Sequence, residues 1–243
     1  SARGGKPVYG VYSTFVQRTY DQLQQDLCIN NNPITILTFA ASVWGMNDVT
    51  HLGIYDIPMM SNIPNLVYLA PTTYEEYIAM LDWSTEQREH PVAIRVPGAV
   101  IHGEKPTKDY GILNKYETVQ KGSGAAIIAL GTFFGMGKQA AELIEKETGV
   151  KPTLIDPVYI TGIDEELLES LKKDHKAVVT LEDGILDGGF GEKIARFYGD
   201  SDMRTVNFGL KKEFLDRYDA NEVLRQNGIT PEQIADRAAE LIK

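Results

Sequence analysis

Short runs rich in Val, Ile and Tyr return along this chain between segments that carry the periodicity of amphipathic helices, and this alternation limits the fold more than any other feature. In the first part of the chain the runs fall at residues 8–12, 34–40, 66–69 and 92–96. Residues 14–27 set Val16, Tyr20, Leu23 and Leu27 on one stripe, with Ser13 placed to cap the free N–H groups. Between the third and fourth runs, Thr72 and Glu75 have capping-box spacing ahead of Tyr77, Met80 and Leu81. Strand, helix and strand in repeated order predict an α/β protein with mostly parallel sheets flanked by helices.

From residue 97 to residue 122 the pattern breaks into glycines, Pro106 and polar residues that supply no continuous core face. The break predicts two domains, 1–100 and 123–243, joined by a linker at 101–122. The second set runs strand 125–130, helix 136–148, strand 153–155, helix 164–173, strand 177–181, helix 191–198 and strand 205–208. Two helices close the chain, the first capped by Asp219 and the second opened by Thr230, Pro231 and Glu232.

Thirty-four acidic against 24 basic residues give a net charge of −10, which repels phosphate backbones and anionic headgroups and argues against nucleic-acid and membrane partners. No apolar run approaches the roughly 20 residues that cross a bilayer. The single cysteine, Cys28, lies on a helical pattern as a buried thiol, which fits a reducing, cytoplasmic setting. The start, Ser1-Ala2-Arg3-Gly4-Gly5, lacks both a signal-peptide layout and an initiator methionine; a tag scar, a processing site and a proteolytic end all fit it, and each allows a larger parent protein.

Two places draw attention for chemistry. Tyr12, Phe15 and Arg18 follow one another at i, i+3 spacing as a ridge turned away from the core stripe. Either the aromatics fill a core edge and Arg18 is solvated, or they form an aromatic face beside a cation, suited to a flat heterocycle and an anion. The second place is the polar loop 45–53 soon after the second strand, where Asn47, Asp48 and Thr50 surround His51. Ligands of parallel sheets gather at carboxyl ends of strands, and a histidine there can move protons near neutral pH. His90, His102 and His175 read as solvated surface residues, and the glycine-rich stretches 131–137 and 188–191 as tight strand-to-helix turns.

The segment Tyr12-Ser13-Thr14-Phe15-Val16-Gln17-Arg18-Thr19-Tyr20-Asp21-Gln22 closely resembles the Y-S-T-F-x-Q-R-x-Y-D-Q stretch of 1-deoxy-D-xylulose-5-phosphate synthases, within the transketolase group. Thr50-His51-Leu52-Gly53 is similar to their T-H-x-G loop, Ile94-Arg95-Val96-Pro97 to V-R-Y-P, and Val179-Thr180-Leu181-Glu182-Asp183 with Gly188-Gly189-Phe190-Gly191 to V-T-x-E-E and G-G-x-G. The resemblance implies a pyrimidine-binding domain, short at its N-terminus, followed by a complete transketolase C-terminal domain. It implies a transferase that uses thiamine diphosphate and Mg²⁺ on a keto acid or sugar phosphate, as a homodimer, in the route to isoprenoids. Phe15 and Tyr12 would meet the cofactor, Tyr12, Arg18 and His51 would act at the reacting centre, and Arg95, Asn47 and His51 would bind substrate.

Three departures leave the acceptor open. Phe39 and Ala40 stand where synthases carry Asp-Arg, Asn47 stands where they carry Asp, and Val96-Pro97-Gly98 lacks a second family arginine. The glutamate that activates the cofactor and the diphosphate-binding domain with its G-D-G metal motif lie outside this stretch, so no metal ligand is assigned and no turnover is expected from the chain alone. Two rivals stand beside this reading: a β subunit of a 2-oxo-acid dehydrogenase, and a non-catalytic dimerisation module.

Overall fold

The computed structural model describes residues 1–96, 98 and 100–242, so Pro97 of the V-R-Y-P match lies outside the described residues, as do Ala99 and Lys243. Strands β1 (Val8–Tyr12), β2 (Thr35–Phe39), β3 (Val67–Leu69) and β4 (Val92–Arg95) form an all-parallel sheet in the order β1-β2-β4-β3. The interior strands β2 and β4 are apolar runs buried on both faces, as a helix-covered parallel sheet requires. A second sheet holds β5 (Glu117–Gln120), β6 (Gly124–Ala129), β7 (Thr153–Asp156), β8 (His175–Ile185) and β9 (Arg204–Leu210) in the order β5-β7-β6-β8-β9, with only β5 antiparallel. The α/β class with two mostly parallel sheets is therefore the observed architecture.

Several local expectations need correction. The stretch 14–27 is no regular α-helix: a 3-10 turn at Val16–Thr19 passes through the single turn α1 (Tyr20–Gln22) into a π-helical stretch at Leu23–Cys28. Val16, Leu23 and Cys28 still point inward, because the hydrogen-bonding period changes while the apolar face is kept. Ser13 does not cap this run; its N–H donates to the Phe39 carbonyl. A short helix, α2 (Asp56–Met60), stands between loop 45–53 and β3, where the sequence pattern assigned no element. The capping box of α3 (Tyr74–Glu86) sits one residue later than its spacing suggested: Thr73 accepts from the Glu76 N–H, and the Glu76 carboxylate accepts from the Thr72 N–H at 2.7 Å.

Segment 101–122 is more than a linker. It supplies β5, and Lys108 Nζ lies 2.6 Å from Glu76 on α3 and 3.2 Å from Asp156 on β7, which ties both sheets together. The remaining helices are α4 (Phe134–Thr148), α5 (Glu165–Leu171), α6 (Phe190–Tyr198), α7 (Ala220–Gln226) and α8 (Pro231–Ile242). Asp219 caps α7 as expected, accepting from the Glu222 N–H at 2.8 Å. His175 is half-buried and bonded to Thr153 and the Leu171 carbonyl, and burial holds it below the ordinary histidine range, so it is not a solvated surface residue. Burial likewise pushes the Cys28 thiol up to about 11, where it is inert as a nucleophile.

The two sheets share one interior. Ile36 and Tyr68 from the first pack in the same cluster as Ile128 from the second and Phe190 of α6, while Val43, Leu52 and Ile54 of the His51 loop pack with Phe133 and Leu181. Backbone bonds cross as well, from Ile160 N–H to the Tyr68 carbonyl and from Ile185 N–H to the Ile54 carbonyl.

Glu182, fully buried on β8, accepts from the N–H groups of Phe190 and Gly191 at 2.7 and 2.8 Å and so closes the N-terminus of α6. Burial outweighs these bonds and raises its carboxyl to about 7. Burial, then the Glu76 carboxylate, also raises Asp156 to about 7 against the pull of Lys108. A raised carboxyl value means that the folded chain keeps a proton which the unfolded chain has released. Stability from these groups is therefore greatest below the ordinary carboxylate range and declines as pH rises towards about 7. Glu182→Gln removes one titration but turns an amide N–H₂ against backbone donors. Its unfolding free energy across the pH range about 5 to 8 is expected to fall by about 1–3 kcal/mol at the acid end and to show a shallower decline. An unchanged slope would remove Glu182 from this account.

Candidate functional site

The site grows from the carboxyl ends of β1 and β2, which lie side by side with Tyr12 opposite Phe39. After Tyr12 the chain makes two successive i+3 hydrogen bonds, Phe15 N–H to the Tyr12 carbonyl at 2.8 Å and Arg18 N–H to the Phe15 carbonyl at 3.1 Å. With three residues per turn, positions three apart lie over one another, so Tyr12, Phe15 and Arg18 form the ridge foreseen in the sequence although the helix is irregular. The Tyr12 and Phe15 rings are 6.2 Å apart edge to face, and the Arg18 guanidinium carbon lies 5.6 Å from the Phe15 centroid. Phe15 is half-buried, while Tyr12 is 49% exposed.

The loop after β2 folds back on this ridge. Ser42 and Gly53 pair across its base, and a β-carbon on Gly53 would come within 2.7 Å of Ser13 Oγ and 2.9 Å of Ala41 Cα, so no larger residue fits where the loop returns beside β1. Val43, Leu52 and Ile54 anchor the loop in the core. His51 is thereby set 5.1 Å from the Phe15 ring, edge to face. Its Nδ1 lies 2.8 Å from Thr50 Oγ1 and 3.2 Å from Asp48 Oδ1. Hydrogen bonds from the Thr50 hydroxyl and N–H, and then from His51, hold the Asp48 carboxyl down at about 2.

A second support comes from the end of the second sheet. The Val49 N–H donates to Asp216 Oδ1 at 3.2 Å, the Tyr218 hydroxyl donates to the Val43 carbonyl at 2.9 Å, and the Tyr55 hydroxyl donates to the Glu213 carbonyl at 2.6 Å. Sequence reasoning missed this buttress, since nothing local links residues 213–218 to loop 43–55. It placed Asp48 beside His51 but gave it no role, although the i−3 spacing marked it.

Tyr12, Phe15, Arg18 and His51 thus come together, but two other expected site residues do not join them freely. Asn47 lies on the exposed loop with its amide donating to the Tyr218 carbonyl at 3.3 Å. Arg95 is 5% exposed, with Nε donating to Asp56 Oδ2 at 2.7 Å, Nη2 to Asp56 Oδ1 at 3.1 Å and Nη1 to Asp183. Burial works against its charge, but Asp183 and Asp56 outweigh burial and keep the guanidinium protonated. The fork of Arg95 is committed to the buried carboxylates of Asp56 and Asp183 in this structure. Where synthases carry Asp-Arg, the half-exposed Phe39 ring lies against Gly10 and Ala40 takes a left-handed turn at φ 52°. The wall beside Tyr12 is apolar instead of charged. Among the described residues, no group of three His, Cys, Asp or Glu side chains is arranged to hold a metal ion, and no helix is long and apolar enough to cross a membrane.

Residues 1–100 match the family model of the transketolase pyrimidine-binding domain, and residues 114–234 match that of the transketolase C-terminal domain. The chain belongs to the transketolase family. Its curated relatives include a 1-deoxy-D-xylulose-5-phosphate synthase of Clostridium perfringens, 36% identical over 248 residues that take in all of this chain and 39% of the relative. The corresponding synthase of Clostridium tetani is 34% identical over 98% of this chain and 39% of its own length. The chain thus spans about two fifths of these relatives. In fold it is similar to a split-gene transketolase in an inactive β4 tetramer, with TM-score 0.85 and 22% identity over all of this chain and 79% of that one. It is also similar to a transketolase from Pichia stipitis in complex with xylulose 5-phosphate, with TM-score 0.77 and 18% identity over 97% of this chain and 34% of that one.

Proposed function

We propose that this chain supplies the aminopyrimidine-facing half of a thiamine-diphosphate-dependent transferase that makes or breaks a carbon–carbon bond next to a ketone. The observation that carries the proposal is the gathering of Phe15, Tyr12, Arg18 and His51 at the strand ends, from two segments far apart in the chain. Phe15 would stack on the aminopyrimidine ring. Arg18, exposed over that ring and held there by an interaction worth about 0.5–1 kcal/mol, is readily displaced by a flat heterocycle. Tyr12 and Arg18 would bind anionic parts of a donor keto acid or sugar phosphate, and His51 would move a proton on the bound substrate. Thiamine diphosphate, when bound, supplies the carbanion chemistry.

The residues fit only part of that cofactor. They offer a face for its ring but neither a metal group nor a carboxylate for the pyrimidine, so we place the diphosphate, the Mg²⁺ and the activating glutamate on residues outside this chain. Catalysis by the chain alone is not expected. Exposed apolar side chains along the open edge of the first sheet, Val8, Tyr9 and Tyr12, support coverage by a diphosphate-binding domain within a dimer. Identity with the synthases favours condensation of pyruvate with glyceraldehyde 3-phosphate and loss of CO₂, over a dehydrogenase β subunit. The commitment of Arg95 and the apolar Phe39 and Ala40 favour a divergent transketolase-like acceptor instead. Rates with each acceptor separate the two.

Calorimetric titration with thiamine diphosphate and Mg²⁺, on this chain and on the longest open reading frame that contains it, tests the proposal. Binding by the longer protein alone is the expected result. Tight binding by this chain would overturn the placement of the diphosphate site elsewhere, and binding by neither would favour a dimerisation module.

A further inference from the structure

We infer that Asp48 and Thr50 are positioning residues that fix His51 in its Nδ1–H tautomer and leave Nε2 as the nitrogen open to a substrate. The inference deepens the proposed role of His51 and rests on it for its meaning in catalysis, but the geometry that carries it belongs to this chain alone.

The assignment follows from counting hydrogens. The Thr50 hydroxyl donates to Asp48 Oδ1 at 2.6 Å, and a hydroxyl has one hydrogen, so towards His51 Nδ1, 2.8 Å away, Thr50 can only accept. Asp48 Oδ1 lies 3.2 Å from the same nitrogen, and an ionised carboxylate can only accept. Its low carboxyl value, about 2, keeps it ionised at neutral pH. With acceptors on both sides, the hydrogen between them sits on Nδ1. A neutral imidazole has one N–H, which leaves the lone pair on Nε2.

The backbone builds this arrangement before any ligand arrives. The Thr50 N–H donates to Asp48 Oδ1 at 2.9 Å and the His51 N–H to the Asp48 carbonyl at 2.9 Å, so the turn that carries the histidine also carries its carboxylate. The other charged groups near the turn act elsewhere: Arg18 lies over the Phe15 ring, whose neighbour is the imidazole, and Asp216 receives the Val49 N–H. Asn47, where the resemblance expects a carboxylate, donates to the Tyr218 carbonyl. The carboxylate that serves His51 in this chain is therefore the next residue.

Nitrogen-15 spectra of the histidine rings in the full chain, at a pH where His51 is neutral, read the tautomer directly. Wild-type His51 is expected in the Nδ1–H form. Asp48→Ala frees the Thr50 hydroxyl to turn and donate to Nδ1, which should move the tautomer ratio about tenfold towards Nε2–H, the effect of one charge-assisted hydrogen bond. Asp48→Asn, whose amide oxygen still accepts from Thr50, should restore most of the wild-type ratio. Thr50→Val gives an independent arm should Asp48→Ala not fold, with a shift of about fivefold in the same direction. A role limited to loop stability would leave the tautomer ratio alone. Wild-type His51 with its hydrogen on Nε2, or a ratio unmoved in Asp48→Ala and Thr50→Val, overturns the inference and leaves the cofactor reading standing. Failure of the longer protein to bind thiamine diphosphate does the reverse.

Discussion

Arg95→Met is expected to lower the stability of the folded chain by about 3–5 kcal/mol, measured as the loss of unfolding free energy in urea. The reason lies in what the side chain holds. Asp56 and Asp183 are 2% and 0% exposed and meet the same guanidinium, which is their shared cation. The Thr132 hydroxyl donates to the other Asp183 oxygen at 2.6 Å, and the Tyr68 hydroxyl donates to Asp56. Methionine fills similar space but leaves two buried carboxylates without a countercharge, and that uncompensated charge is the source of the large effect. Arg95→Lys keeps the charge but loses the planar fork that reaches both partners, so an intermediate loss is expected. Asp56 belongs to the first sheet's side and Asp183 to the second's, so the cluster also joins the two halves. A loss under about 1 kcal/mol in the methionine variant would mean that the carboxylates take up protons at little penalty, and the cluster would then not be a structural clamp.

The same cluster shows where sequence reading stops. The partners of Arg95 lie 39 and 88 positions away along the chain, and each sits in a stretch with its own local explanation, Asp56 in the first turn of α2 and Asp183 inside β8. No spacing rule joins them. Strands β2, β4 and β6 were legible because they are largely buried and mostly apolar, with Thr35, Thr38 and Arg95 as the polar exceptions. Strand β5 was not, since Glu117, Thr118, Val119 and Gln120 form a sheet edge with alternate side chains in solvent. The start of α3 offered two threonines followed three residues later by two glutamates, and local spacing could not choose between them. The choice falls on Thr73 and Glu76 because Lys108, from the connecting segment, meets the Glu76 carboxylate in the interior. The ridge of Tyr12, Phe15 and Arg18 survived a wrong helix type because i, i+3 neighbours stay adjacent in a 3-10 turn. His51 was legible as a polar loop residue at a strand end. Its contact with Phe15 was not, because the return of the loop depends on Val43, Leu52 and Ile54 finding the other sheet's core.

If the cluster around His51 works as proposed, His51→Ala in the longer protein should lower kcat by about 10²–10⁴ while leaving thiamine-diphosphate affinity within about threefold of wild type. The expectation separates two kinds of residue in one site. His51 meets the Phe15 ring edge to face and is held by Thr50 and Asp48, so its removal takes away a proton-transfer group but spares the stacking face. Phe15→Ala should do the opposite. Losing an aromatic face worth about 1–3 kcal/mol to a stacked heterocycle weakens cofactor binding by roughly 5- to 150-fold, with kcat largely recovered at saturating cofactor. Initial rates over a cofactor series, with calorimetry on the same variants, read both quantities. A His51→Ala enzyme within about threefold of the wild-type kcat would remove the histidine from proton transfer. A His51→Ala variant that instead loses cofactor affinity would make the imidazole part of the wall behind Phe15, and the proton would have to be moved by Tyr12 or by a group outside this chain.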